Sequence, residues 1–218
     1  MSTALTGCQR SGTAALAAGE FLHGVASGDP TPDGFILWTR LTPVESQASP
    51  LPIAWEIAKD TDFQEILRSG DVTPNADNDF TAKVDVRELE PGTDYFYRFL
   101  TSSGISARGR ARTLPTGSPE QLRLAVMSCS NYPAGYFHVY QAASQLENLD
   151  AWLHLGDYIY EYSGTGYATE DAARLGRELP SDNNAEILTL ADYRRRYAHY
   201  RTDPDLQAMH ASAPCIAV

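Results

Sequence analysis

From Phe21 to about Thr113 the apolar residues come in short groups divided by Gly, Pro, Asn and Asp, a spacing that predicts a domain of short strands. The groups Gly34–Arg40, Leu51–Ala58, Phe80–Val86 and Thr93–Ser102 are the candidate strands. In Asp94-Tyr95-Phe96-Tyr97-Arg98-Phe99 an imperfect alternation lets one side of a strand bury aromatic rings while the other meets solvent. A β-sandwich folded around its own core accounts for this pattern. Phe63–Leu67 reads as a helical turn, and Gly70–Asp79 as a polar loop with little apolar material to bury.

Two prolines and a glycine in Leu114-Pro115-Thr116-Gly117-Ser118-Pro119-Glu120 interrupt the strand pattern and mark a linker. Beyond it, Leu122–Met127 reads as a buried strand ending at Ser128-Cys129, Tyr136–Leu149 as an amphipathic helix, and Ala151–Leu155 as a second buried strand ending at Gly156-Asp157. This β-α-β order predicts parallel strands with a right-handed crossover and helices on the faces of the sheet. Further helices are predicted over Ala191–Tyr200 and Asp205–Ala211, and a third buried strand over Pro214–Val218. The chain thus divides into a tail (1–20), a β-sandwich (21–113), a linker (114–120) and an α/β region (121–218). A chain that stops on an apolar strand reads as a truncated α/β domain, because strand backbone needs hydrogen-bonded neighbours and half a domain exposes apolar edges or faces.

The 218 residues are 43% hydrophobic, which suits folded cores rather than disorder. With 17 Lys+Arg against 28 Asp+Glu the formal net charge is -11, so the overall field opposes nucleic-acid binding as a main function. An acidic protein can act on phosphate esters when bound cations reverse that field locally, which turns attention to metal ligands. Cys8, Cys129 and Cys215 are an odd count without CxxC spacing, and imply no disulfide framework. Residues 1–20 are rich in small side chains and lack the basic region and long apolar core of an intact secretory signal, which leaves a residual export region or a flexible tail. Leu5-Thr6-Gly7-Cys8 resembles a bacterial lipoprotein cleavage box, but without the apolar stretch that precedes one; lipidation at Cys8 would give envelope association. No run of about 18 apolar residues predicts a membrane-spanning helix.

Cys129 and Asp157 each follow a predicted parallel strand, and such positions converge at the carboxyl edge of an open α/β sheet, where loops build active sites. Tyr160 reaches the same edge if the loop after Asp157 turns tightly. A carboxylate can bridge cations, and a thiolate and a phenolate donate strongly to an oxidised transition metal such as ferric iron, with zinc as a rival on these residues alone. Each residue also has a plainer reading. Cys129 can be a small buried side chain, Asp157 a turn cap or ion-pair partner, and Tyr160 a packing residue or hydrogen-bond donor. His154, inside an apolar strand, reads as a satisfied structural residue rather than a catalytic base. Gly24-Val25-Ala26-Ser27-Gly28 lacks the GxxxxGK[ST] pattern of a phosphate-binding P-loop.

Phe21-Leu22-His23-Gly24-Val25-Ala26-Ser27-Gly28-Asp29-Pro30, followed by Gly34-Phe35-Ile36-Leu37-Trp38-Thr39-Arg40-Leu41, resembles the start of the amino-terminal domain of PhoD-like alkaline phosphatase/phosphodiesterases. Ser128–Tyr136 and Leu153–Glu161 are similar to two segments of their metallophosphoesterase domain. The resemblance runs from Phe21 to Val218 and implies a two-domain β plus α/β fold. In it, a fibronectin/Ig-like β-sandwich precedes an α/β metallophosphoesterase sandwich that this chain carries in part. It also implies hydrolysis of phosphate monoesters or diesters by a metal-activated water in a secreted, periplasmic or extracellular enzyme using Fe3+ and Ca2+. The resemblance gives Cys129 and Tyr160 as iron ligands and Asp157 as the catalytic carboxylate bridging iron to calcium. Arg195, in a segment resembling the family's Asp192–Tyr197 region, is either a phosphate contact or a solvated, ion-paired helix position. In the family the strand similar to Pro214–Val218 leads into an acidic-histidine motif with a further ligand, so this chain is expected to be weakly active or inactive alone. The alternative function is a non-catalytic module that binds an extracellular polymer or another protein.

Overall fold

The strand pattern resolves into twelve strands in the computed structural model, which describes residues 15–44 and 51–218; Cys8 and its surroundings lie outside the described residues. The strands are β1 Gly19–Glu20, β2 Val25–Thr31, β3 Gly34–Arg40, β4 Thr42–Pro43, β5 Ile53–Ala58, β6 Ile66–Val72, β7 Thr81–Val86, β8 Asp94–Leu100, β9 Gly109–Arg112, β10 Leu124–Met127, β11 Ala151–His154 and β12 Cys215–Ala217. The α-helices are α1 His138–Ser144, α2 Ala172–Leu175, α3 Leu190–Tyr200 and α4 Pro204–Ser212.

An antiparallel four-stranded sheet of order β6-β5-β8-β9 faces β2, β3 and β7 of a six-stranded sheet. Period-two alternation fills the space between them: Tyr95, Tyr97 and Phe99 of β8 pack with Phe35 and Leu37 of β3, Ile53 and Ile57 of β5, and Val84 and Val86 of β7, all buried. Two local expectations are corrected. Phe63–Leu67 forms no helical turn: the Asp60 carboxylate accepts from the backbone N–H groups of Asp62, Gln64 and Glu65 at 2.9–3.3 Å. That side-chain turn competes with helix and delivers the chain into β6. Gly70–Val72 belongs to β6 rather than to a loop, and Gly70 lies against the Trp55 ring where a Cβ would not fit. The pattern also left β2, β6 and β9 unassigned, since Gly28, Asp29 and Pro30 or alternate arginines dilute their apolar faces.

Beyond residue 121, β10, β11 and β12 run parallel, as the β-α-β order predicts, with Val126, Leu153 and Ile216 in one row and Trp152 beside Cys215 in the next. Helices α1 and α4 cover the Trp152 face, closing a second core of Phe137, Tyr140, Leu149, Trp152, Tyr200, Leu206 and Met209. Helix α1 is shorter than the predicted Tyr136–Leu149: Gln145 caps it, and Asn148, at φ 57°, turns the chain toward β11. The sheet does not end at β12. Cys215 pairs in parallel with Gly28, so the α/β strands continue into the sandwich sheet as β10-β11-β12-β2-β3-β7. Arg110 stitches the same seam, donating to the carbonyls of Leu149 and Ser212 at 2.8 and 3.2 Å.

Among the described residues nothing covers the opposite face of the parallel strands, where Leu124 is 42%, Val126 57% and Ile216 38% exposed. Parallel sheets are normally buried on both faces. In native buffer this chain is therefore expected to enhance 8-anilinonaphthalene-1-sulfonate fluorescence. Paired Val126→Lys and Ile216→Lys changes should remove most of that signal while moving stability by no more than roughly 0.5 kcal/mol for each surface position. Undiminished dye binding would locate the apolar surface elsewhere.

Candidate metal and phosphate-ester site

The loops leaving β10 and β11 stay side by side past the ends of their strands, because Leu155 donates to the Met127 carbonyl, Cys129 to Gly156 and Ser130 to Asp157, at 2.8, 3.2 and 2.8 Å. Cys129 and Asp157 both take left-handed backbone, φ 63° and 55°. For non-glycine residues that conformation costs on the order of 1–3 kcal/mol and persists where the surroundings enforce it, often at functional sites. Its effect here is to turn both side chains to one edge. The Cys129 Sγ lies 3.7 Å from Asp157 Oδ2, and the Tyr160 hydroxyl donates to the same oxygen at 3.0 Å. Burial first, then the hydrogen bonds with Cys129 and Asp157, raises the Tyr160 hydroxyl well above the usual phenol range, so it holds its proton.

Thiol, carboxylate and phenol thus converge on one oxygen. A cation replacing the two shared protons would meet three donors of a borderline-to-hard set, so these residues fit part of a metal shell. They do not make a whole one: among the described residues no group of three or more His, Cys, Asp or Glu is arranged around a metal position. A concavity of 350 Å³ opens beside Cys129, lined also by Ser128, Asn131 and Tyr136. A larger cavity of 530 Å³, between α3 and the outer face of β2, β3 and β7, shares Tyr158 with the loop but none of the three converging side chains.

His154 lies beneath the site, 1% exposed, with Nε2 2.8 Å from Ser130 Oγ and 3.1 Å from the Tyr140 hydroxyl; Ser130 and Tyr140 are also hydrogen-bonded to each other. Its Nδ1 has no hydrogen-bond partner among the described residues, where the expected satisfied histidine is thus only half satisfied. Two buried arginines anchor the loops. Arg177 donates to Asp203 Oδ2 at 2.5 Å and to the Tyr132 carbonyl at 3.1 Å, with its guanidinium 3.4 Å over the Tyr132 ring. Arg196 donates to the carbonyls of Tyr160 and Tyr162 at 2.5 and 3.0 Å. Neither stood out in the sequence. For Arg196 a signal existed, because it sits one helical turn before the buried Tyr200, on the same face of α3. Arg195 lies on the exposed side and donates to Asp192 at 2.6 Å, the ion-paired helix position, with no hydrogen bond to the Cys129–Asp157–Tyr160 cluster among the described residues.

Residues 7–115 match the family described as PhoD-like phosphatase, N-terminal domain, and residues 124–218 match PhoD-like phosphatase. The chain belongs to the PhoD-like phosphatase family. Alkaline phosphatase D of Bacillus subtilis (strain 168) is 40% identical over 205 residues, covering 90% of this chain and 34% of that protein. A solved structure described as "Structure of PhoD" superposes with a TM-score of 0.82 at 38% identity, over 91% of this chain and 38% of the other. This PhoD-like chain therefore spans little more than a third of the length of these relatives.

In this PhoD-like chain the loop anchors are also electrostatic commitments. The Arg177 and Asp203 side chains are 6% and 4% exposed, and Asp203 additionally caps α4 through the N–H groups of Asp205 and Leu206. Arg177→Met strands that carboxylate and should lower stability by about 3–5 kcal/mol, part of which Asp203→Asn restores in the double variant. Equal losses in the single and double variants, measured by denaturant unfolding, would contradict the pairing.

Four histidines are held neutral, each by burial first: His23, lowered to about 4 with help from Arg40 and Arg201, and His154, His199 and His210, also lowered. Their folded values lie below the unfolded 6.5, so below that pH the unfolded chain binds more protons. Their contribution is complete above 6.5 and is lost as pH falls through each folded value, which for His23 is about 4, at up to ~1.4 kcal/mol per pH unit for each histidine. Urea midpoints should fall from pH 7 to pH 5, and His210→Gln should flatten the slope; a pH-independent midpoint would show that these rings protonate freely in the fold.

Proposed function

We propose that this chain is part of a secreted, metal-dependent alkaline phosphatase/phosphodiesterase, periplasmic or extracellular, that hydrolyses phosphate monoesters or diesters. One observation carries the proposal: Cys129, Asp157 and Tyr160 meet at the carboxyl edge of a parallel sheet in a PhoD-like chain. Iron and calcium, by family resemblance, would lower the pKa of a bound water and counter the charge that develops in phosphoryl transfer. The residues then have distinct tasks. By that resemblance Cys129 and Tyr160 would hold iron, and Asp157, whose carboxylate lies within hydrogen-bond reach of both side chains, would serve as the shared carboxylate ligand. The strained backbone at Cys129 and Asp157 keeps these donors turned outward before substrate arrives, which limits reorganisation at the moment of reaction. Arg195 donates to Asp192 through one Nη2–H, and its other guanidinium N–H groups could meet a substrate phosphate oxygen. By the family resemblance the remaining ligands would come from sequence outside these 218 residues.

The test uses the full-length protein with 4-nitrophenyl phosphate and bis(4-nitrophenyl) phosphate, adding iron and calcium and then chelating them. Asp157→Asn should lower kcat by at least ~100-fold, and Cys129→Ser and Tyr160→Phe should reduce bound iron by elemental analysis, a loss beyond the ~10–100-fold typical of residues that only support ligands. Arg195→Ala should raise KM if it contacts phosphate and leave KM unchanged if it serves only the helix. The 218-residue chain alone should turn over poorly or not at all. Absence of metal-dependent turnover in the full-length protein would favour a non-catalytic binding module.

A further inference from the structure

We infer that Arg196 is a positioning residue for this site, holding the main chain around Tyr160 so that the phenol reaches Asp157. It is 1% exposed, and its hydrogen bonds among the described residues leave α3 for two segments, the stretch after β11 and the single 3-10 turn Ser181–Asn183 with the residues that follow it. Nη1 donates to the carbonyls of Tyr160 and Tyr162; Nη2 donates to the carbonyls of Asn183 and Ala185 at 2.8 and 3.2 Å; Nε donates to Asn183 Oδ1 at 2.8 Å. No carboxylate is among these partners. A buried cation satisfied only by amide oxygens contributes little that a well-packed apolar residue of similar volume would not, so its net stabilisation does not account for it. What it does supply is convergence. The Tyr160–Ser163 stretch is neither helix nor strand, and its direct backbone ties to the neighbouring segment are Ile187 donating to Glu161 and Gly164 donating to Asn184, at 3.0 Å each. Neither tie involves the peptide of Tyr160. Arg196 alone among the described side chains bonds the carbonyl of Tyr160, and α3 is itself fixed upstream by the reciprocal Thr189–Asp192 capping box.

The inference rests on Tyr160 being a metal ligand for its consequence, but its geometry can be tested without metal. In the 218-residue chain, 3-fluorotyrosine at position 160 should give a dispersed fluorine resonance that moves on Asp157→Asn. With Arg196→Met the resonance should shift toward that of a free peptide and lose its response to Asp157→Asn, while 3-fluorotyrosine at the buried Tyr140 stays unchanged. Should the Tyr140 probe also move, Arg196→Lys, which keeps the charge and part of the bonding, becomes the deciding variant. Loss of the Asp157 response in the variant that keeps the Tyr140 signal supports the clamp; a wild-type response there overturns it. A second arm adds ferric iron to the full-length protein and follows the visible phenolate-to-iron absorption. The band should vanish in Tyr160→Phe and require roughly 10–100-fold more iron in Arg196→Lys. Wild-type protein without the band would sink the ligand reading of Tyr160 while leaving the fluorine result to judge the clamp; equal iron dependence of wild type and Arg196→Lys would overturn the functional part of the inference.

Discussion

A loop that leaves the end of a parallel strand loses the hydrogen-bond ladder that held the strand, and its buried carbonyls must find donors elsewhere. In this protein arginine supplies them at both loops that meet at the candidate site. Arg177 reaches the Tyr132 carbonyl after β10, and Arg196 reaches the carbonyls of Tyr160 and Tyr162 after β11. The guanidinium suits the task because its planar fork offers five N–H donors and remains charged when buried. The two sites are balanced differently. Arg177 has a buried counter-ion in Asp203, whereas the partners of Arg196 among the described residues are amide oxygens, so the first couples its loop to the packing of α4 and the second gathers two segments, 160–162 and 183–185, around one cation.

The same demand for partners explains the junction of the two regions. Without β2, the backbone of β12 would have an open edge beside Gly28, and an unpaired edge is both costly and prone to association. Pairing Cys215 with Gly28 makes one sheet serve two cores, the aromatic sandwich core around Tyr95, Tyr97 and Phe99 and the second core around Trp152 and Tyr200. Movement of the sandwich is thereby tied to the sheet whose carboxyl edge carries Asp157. The uncovered row of Val126, Leu153 and Ile216 remains the one face of the parallel strands without that cover among the described residues.

Charge is distributed with the same economy of partners. A chain of formal net charge -11 keeps its buried histidines neutral and uses buried arginines as backbone donors, so the long-range field stays acidic while the loops are locally cross-linked by cations. At the site itself the carboxylate of Asp157 collects two protic donors, Cys129 and Tyr160, a configuration that cation binding would replace rather than rebuild.

The period-two runs of Gly34–Arg40 and Asp94–Leu100 and the β-α-β order beyond residue 121 were legible in the amino-acid sequence, because alternation and burial leave a direct imprint on composition. So were Cys129 and Asp157 as neighbours at a sheet edge, since topology alone carries strand ends together. Strands β2, β6 and β9 were not, because their cross-strand partners rather than their own residues justify them. Arg195 and Arg196 are chemically identical, and the one hint that separates them is the i, i+4 spacing of Arg196 and Tyr200; the rotation of α3 against its neighbours turns one arginine to Asp192 and solvent and the other into the loops. The sequence by itself determined the strongly alternating strands, the β-α-β order beyond residue 121 and which strand ends meet. Tertiary structure decided which side chains hold those ends in place, because that depends on which carbonyls packing leaves without a donor.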